Sequence, residues 1–219
     1  MKDFYNIFLK HYWILFFLLF LWLVHFANIH FHLNLYKLGV FPRTLDGLWG
    51  IVFAPIVHSS SDNNHLINNS IPFLILTWAM FYFYRPIAWR VLFFSWIITG
   101  LSVWFFGRSS FHIGISGVIY SQLFFLFFSG VLRQDSRLLT VALLVVFIYG
   151  SMIWGIFPYD WKISFESHLS GAVIGVVLSR YYKNENATFM KKKTQWEIEE
   201  ELGIETDDLD GLWNQNLED

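Results

Sequence analysis

Four side chains in this sequence have the types and spacing to break a peptide bond together: Ser116, His168, His65 and Asn69. Ser116 lies in the stretch HIGISGVIY, residues 112–120, between Gly114 and Gly117, where a long apolar segment begins. A serine hydroxyl attacks a carbonyl poorly until a base takes its proton, and a histidine with an unperturbed pKa of about 6.5 is neutral and able to take it near pH 7. His168 is the candidate base. His65 and Asn69 stand at i and i+4, on one helix face, so both can donate hydrogen bonds to a single point. With the backbone N–H of Ser116, that point would be an oxyanion hole. Gly171 and Gly175 follow His168 in a small-xxx-small pattern, which lets two helices approach closely enough to bring the imidazole to Ser116.

These groups must be held by membrane-spanning helices. Of the 219 residues, 55% are hydrophobic, 21% aromatic and only 15% charged, with the charges gathered in short stretches. A helical span needs about 20 mostly apolar residues. Six segments qualify, roughly Tyr12–His32, His65–Tyr84, Ile87–Phe106, Ser116–Leu132, Leu138–Phe157 and Phe165–Tyr182. The expected fold is therefore an all-α membrane protein, a six-span helix bundle over residues 12–182. Residues 1–11 and the acidic tail 183–219 would lie outside the bilayer. The first segment is long and lacks a small-x-small cleavage site, so it reads as a retained anchor. Cysteine is absent, so disulfide and thiol chemistry do not arise.

Orientation follows from the basic residues. With the N-terminus in the cytoplasm, 11 Lys or Arg fall inside and 4 (Lys37, Arg43, Arg108, Lys162) outside, which places both termini in the cytoplasm. From Thr194 the tail carries ten Asp or Glu and no Lys or Arg, and Thr194 with Glu197 can form a capping box. Between the first two spans, the outer loop 33–64 contains an apolar run, Leu48–Val57, about half a membrane's thickness as helix, which reads as an interfacial or re-entrant element.

On this topology the second, fourth and sixth spans all run from outside to inside, and their outer ends carry His65 and Asn69, Ser116, and His168. The three sets share a depth within a turn or two of the outer face. Polar groups there are costly unless they face a bundle interior or a wet cavity, and an ionisable one is by default a functional candidate.

The strings GISG at 114–117 continuing to Tyr120, HLINN at 65–69 and HLSGAVIG at 168–175 resemble the motifs of the rhomboid family of intramembrane serine proteases, in order and on alternate spans. The resemblance covers roughly residues 12–182. It implies a rhomboid-type bundle in which Ser116 is the nucleophile and His168 the base, a dyad without a carboxylate partner. His65 and Asn69 match the oxyanion side chains, Tyr120 the aromatic beside the catalytic imidazole, and Gly171 and Gly175 the close-packing glycines of the last span. Two departures stand out. The extra histidine often found about five residues before the oxyanion histidine is displaced to His58, seven before, and receives no role. The Trp-Arg pair of the first outer loop is missing, since Arg43 lies between Pro42 and Thr44.

Plainer readings exist for several residues. Ser116 could simply cap its helix, as serine often does beside glycine. His11, His25, His30 and His32 read as packing residues, His112 as a loop residue, and Asp160 and Glu166 as solvated outer-loop groups. Rival chemistries find little support. No His-Glu-x-x-His string offers a zinc protease, and no pair of span-buried carboxylates offers an aspartyl protease. A channel or transporter would also place polar groups inward, and a rhomboid-like binding protein without catalysis is a further alternative.

The sequence thus reads as a multi-pass protein of a bacterial inner membrane that hydrolyses peptide bonds in or beside membrane segments of other proteins. Carbonyls of a helix in lipid are hydrogen-bonded and shielded, so substrates should carry helix-weakening residues near the outer face. No metal, other cofactor or nucleic acid is implied.

Overall fold

The computed structural model describes residues 11–134, 136–148, 154–161 and 163–185, all within a compact unit that ends at Thr188. Lys2 and Lys10, the capping box at Thr194 and the acidic tail from residue 186 lie outside the described residues.

The apolar segments form helices because lipid offers no partners for backbone N–H and C=O groups, and a helix satisfies them internally. In chain order these are α1 (Trp13–His30), α2 (Gly50–Phe53), α3 (Asn63–Phe83), α4 (Ala88–Phe106), α5 (Ser116–Arg133), α6 (Ser136–Ile148) and α7 (Phe165–Tyr181). Four of them, α1, α3, α4 and α5, are long and apolar enough to cross a membrane. The last, α7, has 17 residues and reaches about 26 Å at 1.5 Å per residue, the short end of the spanning range. Of the expected fifth span, the described helix ends at Ile148. Gly155 to Tyr159 are turns and a bend, so Phe157 belongs to the loop leading into α7 rather than to a span.

The fold centres on α5. Two thirds of its apolar window is buried, against 22% for α1 and for α4, which present Phe16, Leu23, Phe93 and Phe105 outward as lipid-facing surface does. Its most extensive partner is α7, and α3, α4 and α6 also pack on it. Polar pairs join the helices where lipid gives no hydrophobic drive to associate. Thr77 and Gln122 hydrogen-bond between α3 and α5, Ser95 and Ser121 between α4 and α5, and the Trp22 indole donates to Ser70 between α1 and α3.

The close fit of α5 on α7 depends on two glycines. A Cβ on Gly171 would stand 2.0 Å from the Gly117 carbonyl oxygen, and one on Gly175 would stand 2.3 Å from the Ser121 oxygen. Backbone therefore meets backbone along this seam, and only glycine permits it.

The loop 33–64 is built from short pieces: 3₁₀ turns at Leu35–Leu38, Asp46–Leu48 and Ala54–Ile56, with α2 between the last two. The apolar run expected at Leu48–Val57 is thus a broken helical element. It packs against α4, where the Trp96 indole donates to the Val52 carbonyl. Val40 and His112 exchange backbone hydrogen bonds of 2.9 Å, an isolated bridge that ties this loop to the segment before α5. Arg43, which lacks its expected Trp neighbour, donates to the Phe105 and Gly107 carbonyls at the C-terminal end of α4.

Candidate active site

Ser116 is the first residue of α5. The cap position belongs to Ile115, whose side chain makes no cap bond, so the plain reading of Ser116 as a helix cap does not hold. Its hydroxyl instead meets His168, in the first turn of α7, with Nε2 2.8 Å from Oγ. Both residues are buried. The other ring nitrogen, Nδ1, lies 2.9 Å from the Gly155 carbonyl oxygen. A carbonyl only accepts, so Nδ1 carries the proton and Nε2 presents a lone pair to the serine O–H. That is the tautomer a general base requires.

Tyr120, one turn into α5, stacks on the His168 ring with centroids 4.2 Å apart and planes within 10°. The imidazole is thereby held by its face, by Nδ1 and by Nε2. The seam of Gly171 and Gly175 sets the depth of α7 against α5.

His65 and Asn69 lie on the first two turns of α3, which Asp62 caps by accepting the Asn64 N–H at 2.9 Å. Both side chains converge on Gly114, two residues before the serine. That residue has φ +99°, in the left-handed region, and a Cβ there would sit 2.7 Å from His65 Nε2 and 3.7 Å from Asn69 Nδ2. Glycine is needed on both counts. Asn69 Nδ2 is buried and has no hydrogen-bond partner among the described residues, an amide donor held ready for an acceptor. Because Ser116 opens α5, its N–H is among the first-turn amides that lack an intrahelical acceptor.

Several neighbours escaped the sequence reading. His58 is buried, its ring centroid 5.1 Å from that of His65, and Nε2 accepts the Ile115 N–H at 3.5 Å. Burial, with His65 nearby, pushes its pKa down to about 3. Glu166 is not a solvated loop group: it sits in the first turn of α7, largely buried, with Oε1 3.5 Å from Arg108 Nε. His112 lies in the loop before α5 as expected but is buried, and its burial lowers its pKa. The carbonyl of Gly155 could not be found from residue type, since every residue carries one. The remaining histidines divide: His11 packs on Phe81 with ring centroids 5.2 Å apart and His25 is buried with Nε2 2.9 Å from Asn63 Oδ1, whereas His30 and His32, expected to pack, are exposed. The described residues contain no group of three or more His, Cys, Asp or Glu arranged to hold a metal ion.

A Rhomboid domain family model matches residues 45–185, well over half of the chain. Uncharacterized proteins of Mycobacterium bovis and Mycobacterium tuberculosis are each 36% identical over 149 residues, covering 64% of this chain and 61% of theirs. One from Mycobacterium leprae is 35% identical over 141 residues, 60% of this chain and 55% of its own. The chain thus spans about three fifths of the length of the curated relatives it matches.

Proposed function

The chain belongs to the rhomboid family of multi-pass membrane proteins, and from that premise we propose that it is a serine endopeptidase acting on membrane-protein segments. The observation that carries the reading is the 2.8 Å contact between His168 Nε2 and Ser116 Oγ, with the tautomer set by Gly155. In the proposed reaction Ser116 Oγ adds to the scissile carbonyl carbon as its proton passes to His168 Nε2. The oxyanion that forms is stabilised by His65, the Asn69 amide and the Ser116 N–H. His168 then gives the proton to the leaving amine, the C–N bond breaks, and an acyl ester remains on Ser116. Water, deprotonated by His168, attacks that ester and returns the hydroxyl. Through both steps the Gly155 carbonyl accepts from Nδ1–H and favours the imidazolium that forms transiently, the role a carboxylate plays in a triad.

The substrates proposed are membrane-anchored proteins whose chain unwinds near the outer face, because a fully hydrogen-bonded helix cannot present a carbonyl to the dyad. The proposed setting is a bacterial inner membrane with both termini cytoplasmic and residues 12–182 as the membrane domain. Purified protein incubated with a single-span model substrate, with product masses read by mass spectrometry, tests the reading. Ser116→Ala is expected to reduce cleavage to background while the fold persists, since one oxygen is removed and the packing glycines stay. Cleavage by that variant at the wild-type rate would remove the dyad. A transporter would show altered flux without product peptides.

A further inference from the structure

A second buried polar cluster lies beside the dyad, at the point where three elements meet: the C-terminal end of α4, the loop before α5 and the first turn of α7. Glu166 Oε1 accepts from the Arg108 backbone N–H at 3.3 Å and lies 3.5 Å from the Arg108 Nε. The same guanidinium donates from Nη2 to the Trp161 and Ile163 carbonyls at 2.8 and 2.7 Å, the chain leading into α7. His112 Nε2 donates to the Arg108 carbonyl at 3.0 Å, which leaves Nδ1 to accept from the Ser164 hydroxyl at 2.6 Å. Ser164 caps α7. Glu166 Oε2 makes no hydrogen bond among the described residues and lies 3.9 Å from His112 Nδ1.

We propose that Arg108, His112 and Glu166 form a positioning clamp that holds the first turn of α7, and with it the His168 ring, in register with Ser116. The proposal rests on the protease reading for its kinetic consequences. The physical reason lies in where His168 sits. It is the fourth residue of α7, and the first turn of a helix is its least protected part, prone to local opening. The glycine seam holds α7 at Gly171 and Gly175, below the ring, and beside the ring Gly117 meets the Ser167 carbonyl, where a Cβ would stand 3.0 Å away. Above the ring the clamp takes over, because Glu166 lies two residues before His168 and His112 lies four residues before Ser116. Arg108 also holds the segment between Gly155, which orients Nδ1, and the helix cap. The clamp therefore governs both contacts of the imidazole while touching neither reacting atom.

Full-length protein in bilayer nanodiscs provides the test, using kcat and KM for the model substrate together with the ring ¹⁵N signals of His168, assigned by their loss in His168→Ala. Glu166→Ala is expected to lower kcat on the order of 10²-fold, the scale for a misplacement of about 1 Å, with KM unchanged. The His168 signals should move from a single tautomer toward averaging. Glu166→Gln, which keeps an oxygen for the Arg108 N–H, is expected to recover part of that loss. Wild-type kcat and unchanged His168 signals in Glu166→Ala would overturn the proposal, as would a loss expressed only in KM. If Glu166→Ala does not fold, Glu166→Gln and His112→Phe are judged on the same two readouts. Failure of the protease reading shows separately, as cleavage by Ser116→Ala, and the ¹⁵N signals of the Glu166 variants then still decide whether the clamp positions the ring.

Discussion

Adding a single methyl group at Gly171 should separate the dyad without touching it. A Cβ at that position stands 2.0 Å from the Gly117 carbonyl oxygen, both atoms being backbone-fixed. Carbon and oxygen settle no closer than about 3.3 Å, so α7 must retreat from α5 by about 1.3 Å. Gly171 lies three residues from His168, about 4.5 Å along the helix, and the ring moves with it. Applied along the contact, that retreat stretches the 2.8 Å Nε2 to Oγ distance to about 4 Å, beyond the reach of about 3.2 Å that proton transfer needs. Gly171→Ala should therefore lose on the order of 10²-fold in kcat and about 1–3 kcal/mol of stability from overpacking. Gly175→Ala is the control. Its Cβ would stand 2.3 Å from the Ser121 oxygen, a similar clash, but about 10 Å along α7 from the ring. Cleavage rates in proteoliposomes, with thermal unfolding of each variant, separate the two effects. Comparable destabilisation with a larger kcat loss for Gly171→Ala is expected. Equal kcat losses, or a Gly171→Ala enzyme with wild-type turnover, would refute the reasoning.

Alanine at His65 or Asn69 should lower kcat by about 10²- to 10³-fold with little change in KM, because their hydrogen bonds strengthen as the oxyanion forms; steady-state cleavage kinetics check this. Gly114→Ala should give a comparable loss, since it strains a backbone at φ +99° and drives a methyl to 2.7 Å from His65 Nε2. For His58, the folded pKa of about 3 lies below the ordinary 6.5, so below pH 6.5 the unfolded chain binds a proton that the folded one refuses. The melting temperature is expected to fall as pH drops from 6.5 toward 3, and His58→Gln should flatten that slope in thermal scans.

Much of the architecture was legible in the sequence because membrane helices are specified locally. An apolar run of sufficient length must satisfy its own backbone, so α1, α3, α4 and α5 follow from composition and length alone. The i, i+4 spacing of His65 and Asn69, and the glycine pair of α7, are likewise local periodicities, and they singled out the side chains that the fold brings together. Local signals fail where a partner comes from elsewhere in the chain. Glu166 looked solvated because it stands in a short polar stretch with Lys162 four residues before it, yet its partner Arg108 lies 58 residues away. The same holds for His58, whose contact with Ile115 spans 57 residues, and for the Gly155 carbonyl. A side-chain type announces what a residue can donate or accept, whereas a main-chain acceptor and the burial of a charge exist only once distant segments are packed together.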